Sequence, residues 1–167
     1  HADIAIIPPD EERDFYTLVT MGMGAYRMNA PKDLNPQRAE LMITLPRDWE
    51  IKNSNEEWYW PVRWLKILAR FPLQEKTWLG WGHIIPNGEP FSENTKLSGL
   101  LLLNPYTGDE KDESLILTNG ETLSFYQLIP LYEEEMEFKI KNGTEKLLEL
   151  FQDNLPNQDA SAPCSFA

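Results

Sequence analysis

Few residues in this chain have the chemistry of a catalyst. His83 is the sole histidine apart from the terminal His1, and it is the one credible imidazole base. Such a base acts on a nucleophile held beside it. Ser92, Ser98 and Ser124 are the hydroxyls within consideration, and no Gly-x-Ser-x-Gly elbow frames any of them. Paired carboxylates would serve acid–base chemistry, and Glu133-Glu134-Glu135 supplies three in a row. Consecutive residues on a helix point in different directions, however, and acids in a first turn are favoured by the helix dipole. A helix N-terminus therefore explains that run better than an active site does. His83 is likewise better explained as a ring wedged among tryptophans and hydrogen-bonded to backbone. No catalytic residue is assigned, and the alternative reading is an enzyme that uses His83 with a glutamate as acid and base.

Metal ligands are equally scarce. His1, His83 and Cys164 do not make the helical histidine pair or the ligand set that zinc needs. The segment Gly108-Asp-Glu-Lys-Asp-Glu lacks the ladder and glycine turn of a calcium loop. Gly22-Met23-Gly24 follows a predicted strand, as a phosphate-binding turn would. Yet the third glycine position is Arg27, and Pro31 interrupts any following helix. Neither metal nor cofactor is expected.

The bulk composition narrows the partner. Asp+Glu number 27 against 15 Lys+Arg, a formal net charge of -12. A phosphate backbone or an anionic membrane surface is repelled by that field, so neither nucleic acid nor membrane is expected. A basic protein would be steered in by it. The lone Cys164 cannot form an intramolecular disulfide, which points to a reducing, cytoplasmic compartment. At 167 residues the chain is read as one domain over 1–153 with a loose polar tail over 154–167. The opening His1-Ala-Asp-Ile-Ala-Ile-Ile has no initiator methionine and looks like the inside of a strand. Residues are expected to precede it.

The elements that must hold these residues centre on Trp58 to Gly88, where five of the six tryptophans lie. Such a density of rings fills a core or lines a groove. Core is the stronger reading, with some rings able to serve both. Pro61 suits a first helical position and Pro72 a stop, so a helix is expected from Trp60 to Phe71. Its apolar stripe is Val62, Leu65 and Ala69 with Trp64, Leu68 and Phe71, opposite a basic stripe of Arg63, Lys66 and Arg70. Trp64 is expected to be buried against the sheet. Gly80 and Gly82 alternate with Trp81 and His83, which reads as an extended segment, closed by a turn at Asn87-Gly88.

Strands are expected over Ala2–Ile7, Phe15–Met21 and Ala39–Leu45. The unbroken run Leu100 to Leu103 belongs inside a sheet, buried on both faces. Pro105–Asp112 reads as a loop. Ser114–Thr118 and Thr122–Ile129 flank Asn119-Gly120, the pattern of a type I′ hairpin, and Pro130 is read as its end. Leu131–Lys141 reads helical, with a left-handed cap at Asn142-Gly143. Thr144 then caps a last helix that turns Leu147, Leu148 and Phe151 inward. The class is α+β, a mixed, mainly antiparallel sheet packed with helices.

Several stretches closely resemble bacterial members of the Suppressor of fused (SUFU) domain family. They include Tyr16-Thr-Leu-Val-Thr-Met-Gly-Met, Ala39-Glu-Leu-Met-Ile-Thr-Leu-Pro and Tyr59-Trp-Pro-Val-Arg-Trp-Leu-Lys-Ile-Leu-Ala-Arg. Further on come Thr77-Trp-Leu-Gly-Trp-Gly-His-Ile-Ile-Pro-Asn-Gly, Thr95-Lys-Leu-Ser-Gly and Phe125-Tyr-Gln-Leu-Ile-Pro-Leu-Tyr-Glu-Glu-Glu-Met-Glu-Phe-Lys. The resemblance implies a non-enzymatic protein-binding module of a single SUFU-like domain. Its implied role is that of an immunity protein that neutralises a toxin domain in a polymorphic toxin system. The animal relatives clamp a peptide between two domains, which one domain cannot do. They also carry an aspartate just before the histidine matched by His83, whereas this chain has Gly82. Trp78, Trp81, His83, Asn87 and Glu133 are the candidate partner-binding residues. The expected partner is a protein with a basic face, and self-association is left open.

Overall fold

The structure is a computed structural model that describes residues 3–33, 37–105 and 114–154. His1, Cys164, most of the loop expected at Pro105–Asp112 and nearly all of the tail expected from Asn154 lie outside those residues.

Among the described residues seven strands form one sheet: β1 (Asp3–Ile7), β2 (Phe15–Met21), β3 (Arg38–Pro46), β4 (Ile84–Pro86), β5 (Gly99–Leu103), β6 (Ser114–Ile116) and β7 (Thr122–Leu131). Their order is β1-β2-β3-β7-β5-β4, with β6 beside β7. β1 and β2 pair antiparallel, so residues 8–14 between them reverse the chain. Every pairing is antiparallel except β3 with β7, where Ala39 lies opposite Ser124 and Leu41 opposite Tyr126. The mixed, mainly antiparallel α+β class therefore holds. Three α-helices complete the described residues: α1 (Glu56–Glu75), α2 (Glu133–Asn142) and α3 (Thr144–Asn154).

The sheet is covered unequally. On one face Leu18, Leu41, Ile43, Leu45, Leu100 and Leu102 meet Trp60, Leu65 and Leu68 of α1 in the main core. On the other, Leu101 and Leu131 meet Met136 of α2 and Leu147 of α3. β5 is thus sandwiched, Leu100 and Leu102 one way and Leu101 the other, which explains its unbroken apolar sequence. Gly99 lets α2 come close, because a Cβ there would lie 2.0 Å from Met136 Sδ.

Helix α1 corrects the expected boundaries. It starts at Glu56, where Glu56 and Glu57 complement the helix dipole. It runs through both Pro61 and Pro72 and ends at a left-handed Lys76, φ 53°. A helical proline costs roughly 3 kcal/mol. Both prolines lie on the buried side, and packing of the apolar face outweighs their missing donors. Thr77 N–H donates to the Pro72 carbonyl at 3.0 Å and closes the end.

The longer helix also re-sorts the rings. Trp60 is the fully buried one, 1% exposed, and stacks on Phe91 with centroids 4.5 Å apart. Trp64 is half-buried and meets Phe91 edge-on at 5.4 Å. The expectation that Trp64 is the buried ring is corrected accordingly. Phe91 comes from an irregular segment, held by its N–H bond to the Leu97 carbonyl at 2.9 Å.

The hairpin forms with Ile116 opposite Thr122, but its turn is not type I′. Of residues 119 and 120 only Gly120 has positive φ, 84°. Gly120 N–H donates to the Leu117 carbonyl at 2.9 Å, and Leu117 N–H to that of Glu121 at 2.8 Å. This is a three-residue loop with a left-handed glycine. Pro130 does not end β7, which continues to Leu131. On the β3 side β7 is paired only as far as Gln127, so the proline occupies an edge there. α2 begins at Glu133, with Leu131 still in the strand. Gly143 caps it with φ 93° and ψ 163°, a glycine conformation outside the left-handed helical region. Thr144, buried, opens α3, in which Leu147 is fully buried and Leu148 and Phe151 are half-buried.

Candidate functional site

The segment expected to be extended instead makes a turn over Gly80–His83. His83 N–H donates to the Gly80 carbonyl at 3.1 Å, spanning Trp81 and Gly82. Gly82 has φ +81° while Trp81 keeps a negative φ, the pattern of a type II turn, which asks for glycine at its third position. Two more backbone bonds tie the turn to β5. Gly82 N–H donates to the Leu102 carbonyl at 2.8 Å, and Leu102 N–H to that of His83 at 3.0 Å. The alternation of glycine with large rings suits a tight turn as well as an extended segment.

His83 sits inside this frame. Its Nδ1 accepts the Gly80 N–H at 3.2 Å, which leaves the neutral ring's proton on Nε2. Trp78 lies edge to face against the imidazole, centroids 4.4 Å apart. Burial, and then the charge of Lys139 on α2, hold its pKa below the ordinary histidine value. The charge that bears on His83 is thus an ammonium, not a carboxylate. The pairing of His83 with a glutamate, which the enzyme alternative needs, finds no counterpart among the described residues.

Trp81 is the outward ring, 44% exposed at the tip of the turn. The turn rests on the α2–α3 corner: a Cβ on Gly82 would meet Thr144 Oγ1 at 3.3 Å. Gly80 makes room for Trp78, since its own Cβ would come within 2.6 Å of that ring. Sequence reasoning missed Lys139 and Thr144 as neighbours of the turn. They reach it only by packing, from more than fifty residues along the chain.

The remaining candidates are placed differently. Asn87 organises its own loop, its N–H on the Ser98 carbonyl and its Nδ2 on the Glu89 carbonyl, both at 2.7 Å. Glu133 is exposed at the N-terminus of α2. It lies about 9 Å along the helix axis from Lys139, at the end away from the turn. Trp78, Trp81 and His83 are therefore brought together, Asn87 follows them in sequence, and Glu133 stands apart.

A second polar cluster surrounds the glycine pair at Gly22 and Gly24. Both amides donate to Glu40 Oε1, at 2.9 and 2.8 Å, and the Thr20 hydroxyl donates to Oε2. The backbone groups that a phosphate would require are spent on the chain's own carboxylate. No group of three or more metal-ligating side chains exists among the described residues. No helix there is long and apolar enough to cross a membrane.

The fold is thus a one-sheet α+β domain with an aromatic turn braced on a helix corner. The chain belongs to the Suppressor of fused protein (SUFU) family, whose sequence profile matches residues 1–160. An uncharacterised protein of Ureaplasma parvum is 30% identical over 151 residues, covering 90% of this chain and 72% of that protein. The SUFU homologue of Neisseria gonorrhoeae is similar in structure, with TM-score 0.65 at 19% identity over 92% of this chain and 71% of the other. The Sufu–Fu complex gives TM-score 0.64 at 17% identity, over 90% and 68%. Drosophila Suppressor of Fused gives 0.62 at 19%, over 90% of this chain but 38% of that one.

Proposed function

We propose that the chain is a non-enzymatic protein-binding module whose anchor is Trp81. The observation that carries this reading is the exposed indole at the tip of a turn fixed by backbone bonds on both sides. A large, rigid, half-exposed aromatic is the kind of residue that dominates binding energy. The presence of a relative in a complex with Fu supports the same use of the fold. We propose further that the partner is a toxin domain with a basic face, neutralised in the cytoplasm. The net charge of -12 favours such a face through long-range steering, although Lys139 adds a positive charge that acts on His83.

The test is co-expression with toxin domains of basic surface, read as growth rescue and as a complex on a sizing column. Trp81→Ala should remain folded by thermal melting, bind more weakly and dissociate faster. Raising salt should slow association far more than it changes dissociation. Unchanged affinity in a folded Trp81→Ala protein would remove the anchor. A variant that unfolds would show that the ring belongs to the core.

A further inference from the structure

We propose that a groove sharing no residue with the Trp81 turn is a second docking site. It fits an extended peptide segment carrying an apolar side chain and, two residues on, an acidic one. The groove lies between the 3-10 turn Met23–Ala25 and the C-terminal half of α1, with a volume of about 210 Å³. Met23, Tyr26, Ala69 and Leu73 make its apolar lining, and Arg70 and Gln74 its polar rim. Tyr26 and Leu73 are more than half exposed, at 56% and 54%, so the lining is open to a partner.

The charge of the occupant follows from Arg70. Along the basic stripe of α1, Arg63 is held by Glu56 through a two-point contact, at 2.7 Å from Nε and 2.8 Å from Nη2. Lys66 is engaged by the Tyr59 hydroxyl at 3.0 Å. Arg70, exposed, makes no hydrogen bond or ion pair with the described residues. A free guanidinium beside an apolar groove selects a carboxylate next to an apolar group.

The source of that carboxylate follows from Glu40. A chain terminus is captured by a nest of backbone N–H groups. Such a nest needs successive N–H groups, and beside this groove those of Gly22 and Gly24 are already given to Glu40, which leaves the intervening Met23 N–H single. What remains is a guanidinium, which takes a side-chain carboxylate. Alternate residues of an extended segment share a face, so the apolar and acidic side chains belong at i and i+2.

Amide chemical shifts of the whole chain would be followed while adding acetyl-Leu-Ser-Glu-amide, acetyl-Leu-Ser-Gln-amide or acetyl-leucine. The glutamate probe should move the amides of Gly22, Tyr26, Arg70 and Leu73, and bind at least about threefold more tightly than the glutamine probe. Arg70→Gln should make those two probes equal, and Leu73→Ser should weaken both. Both sites are exposed, and melting curves would verify that the variants stay folded. Absence of shifts at the groove with about 10 mM glutamate probe would overturn the proposal. So would equal binding of the two tripeptides to the parent, or tighter binding of acetyl-leucine, which would mean a reader of chain termini.

Discussion

The indole of Trp78 meets the imidazole of His83 edge to face, at 4.4 Å between centroids and 64° between planes. Burial of the ring, the Gly80 N–H bond to Nδ1 and the nearby Lys139 all favour a neutral ring. Both burial and the Lys139 charge lower the pKa, so the unfolded chain binds this proton more readily than the folded one. Stability then rises with pH across the window. It is complete above the unfolded value near 6.5 and lost as pH falls through the lower folded value. Thermal melts between about pH 7.5 and 5 should therefore fall more steeply for the parent than for His83→Asn. Lys139→Gln should move the imidazole titration upward by NMR. An imidazole titrating at or above the ordinary value would contradict this account.

Trp60 and Trp64 lie on the same helix and touch the same Phe91, yet they should not cost the same. Trp60 is buried and stacked, so Trp60→Ala should destabilise by about 3–5 kcal/mol. Trp64 is half-buried and contributes an edge, so Trp64→Ala should cost about 1–2 kcal/mol. Urea melts of the two variants measure the difference. Equal losses would mean that Phe91, rather than ring burial, sets both.

Glu40 is buried on β3 and receives three donors from Thr20, Gly22 and Gly24. Glu40→Ala removes every acceptor at once, and a loss of about 2–4 kcal/mol is expected. Hydrogen exchange should show the Gly24 amide losing protection first. Retained protection at Gly24 would mean that the turn is held by other contacts.

Gly99 and Met136 should be energetically coupled. A methyl group on Gly99 overlaps Met136 Sδ, and the Ile85 carbonyl stands only 3.3 Å from it. Gly99→Ala should cost about 1–3 kcal/mol. Adding Met136→Ala should recover part of that loss, so the double mutant is better than the sum of the singles. Strict additivity in denaturant melts would show that α2 does not bear on β5 at this point.

Features set by neighbouring residues were legible without the structure. The β1–β2 reversal and the β6–β7 hairpin follow from apolar runs and turn residues a few positions apart. The sandwiched β5 is visible in Leu100 to Leu103, because both pleat faces are apolar. What was missed depended on partners distant in sequence. Pro61 and Pro72 read as helix limits because local propensity opposes them. Only the packed core beneath α1, which a window of sequence does not contain, overrules it. Trp64 reads as the buried ring from its place on the apolar stripe, until Phe91 arrives from a loop to stack on Trp60 and touch only the edge of Trp64. The Trp81 turn likewise owes its position to Leu102 and Thr144. By itself the sequence determined which residues are rings, glycines and charges, and hence the local turns and the apolar faces. Which ring stays exposed was decided by tertiary contact, because exposure depends on what packs against a residue from the rest of the chain.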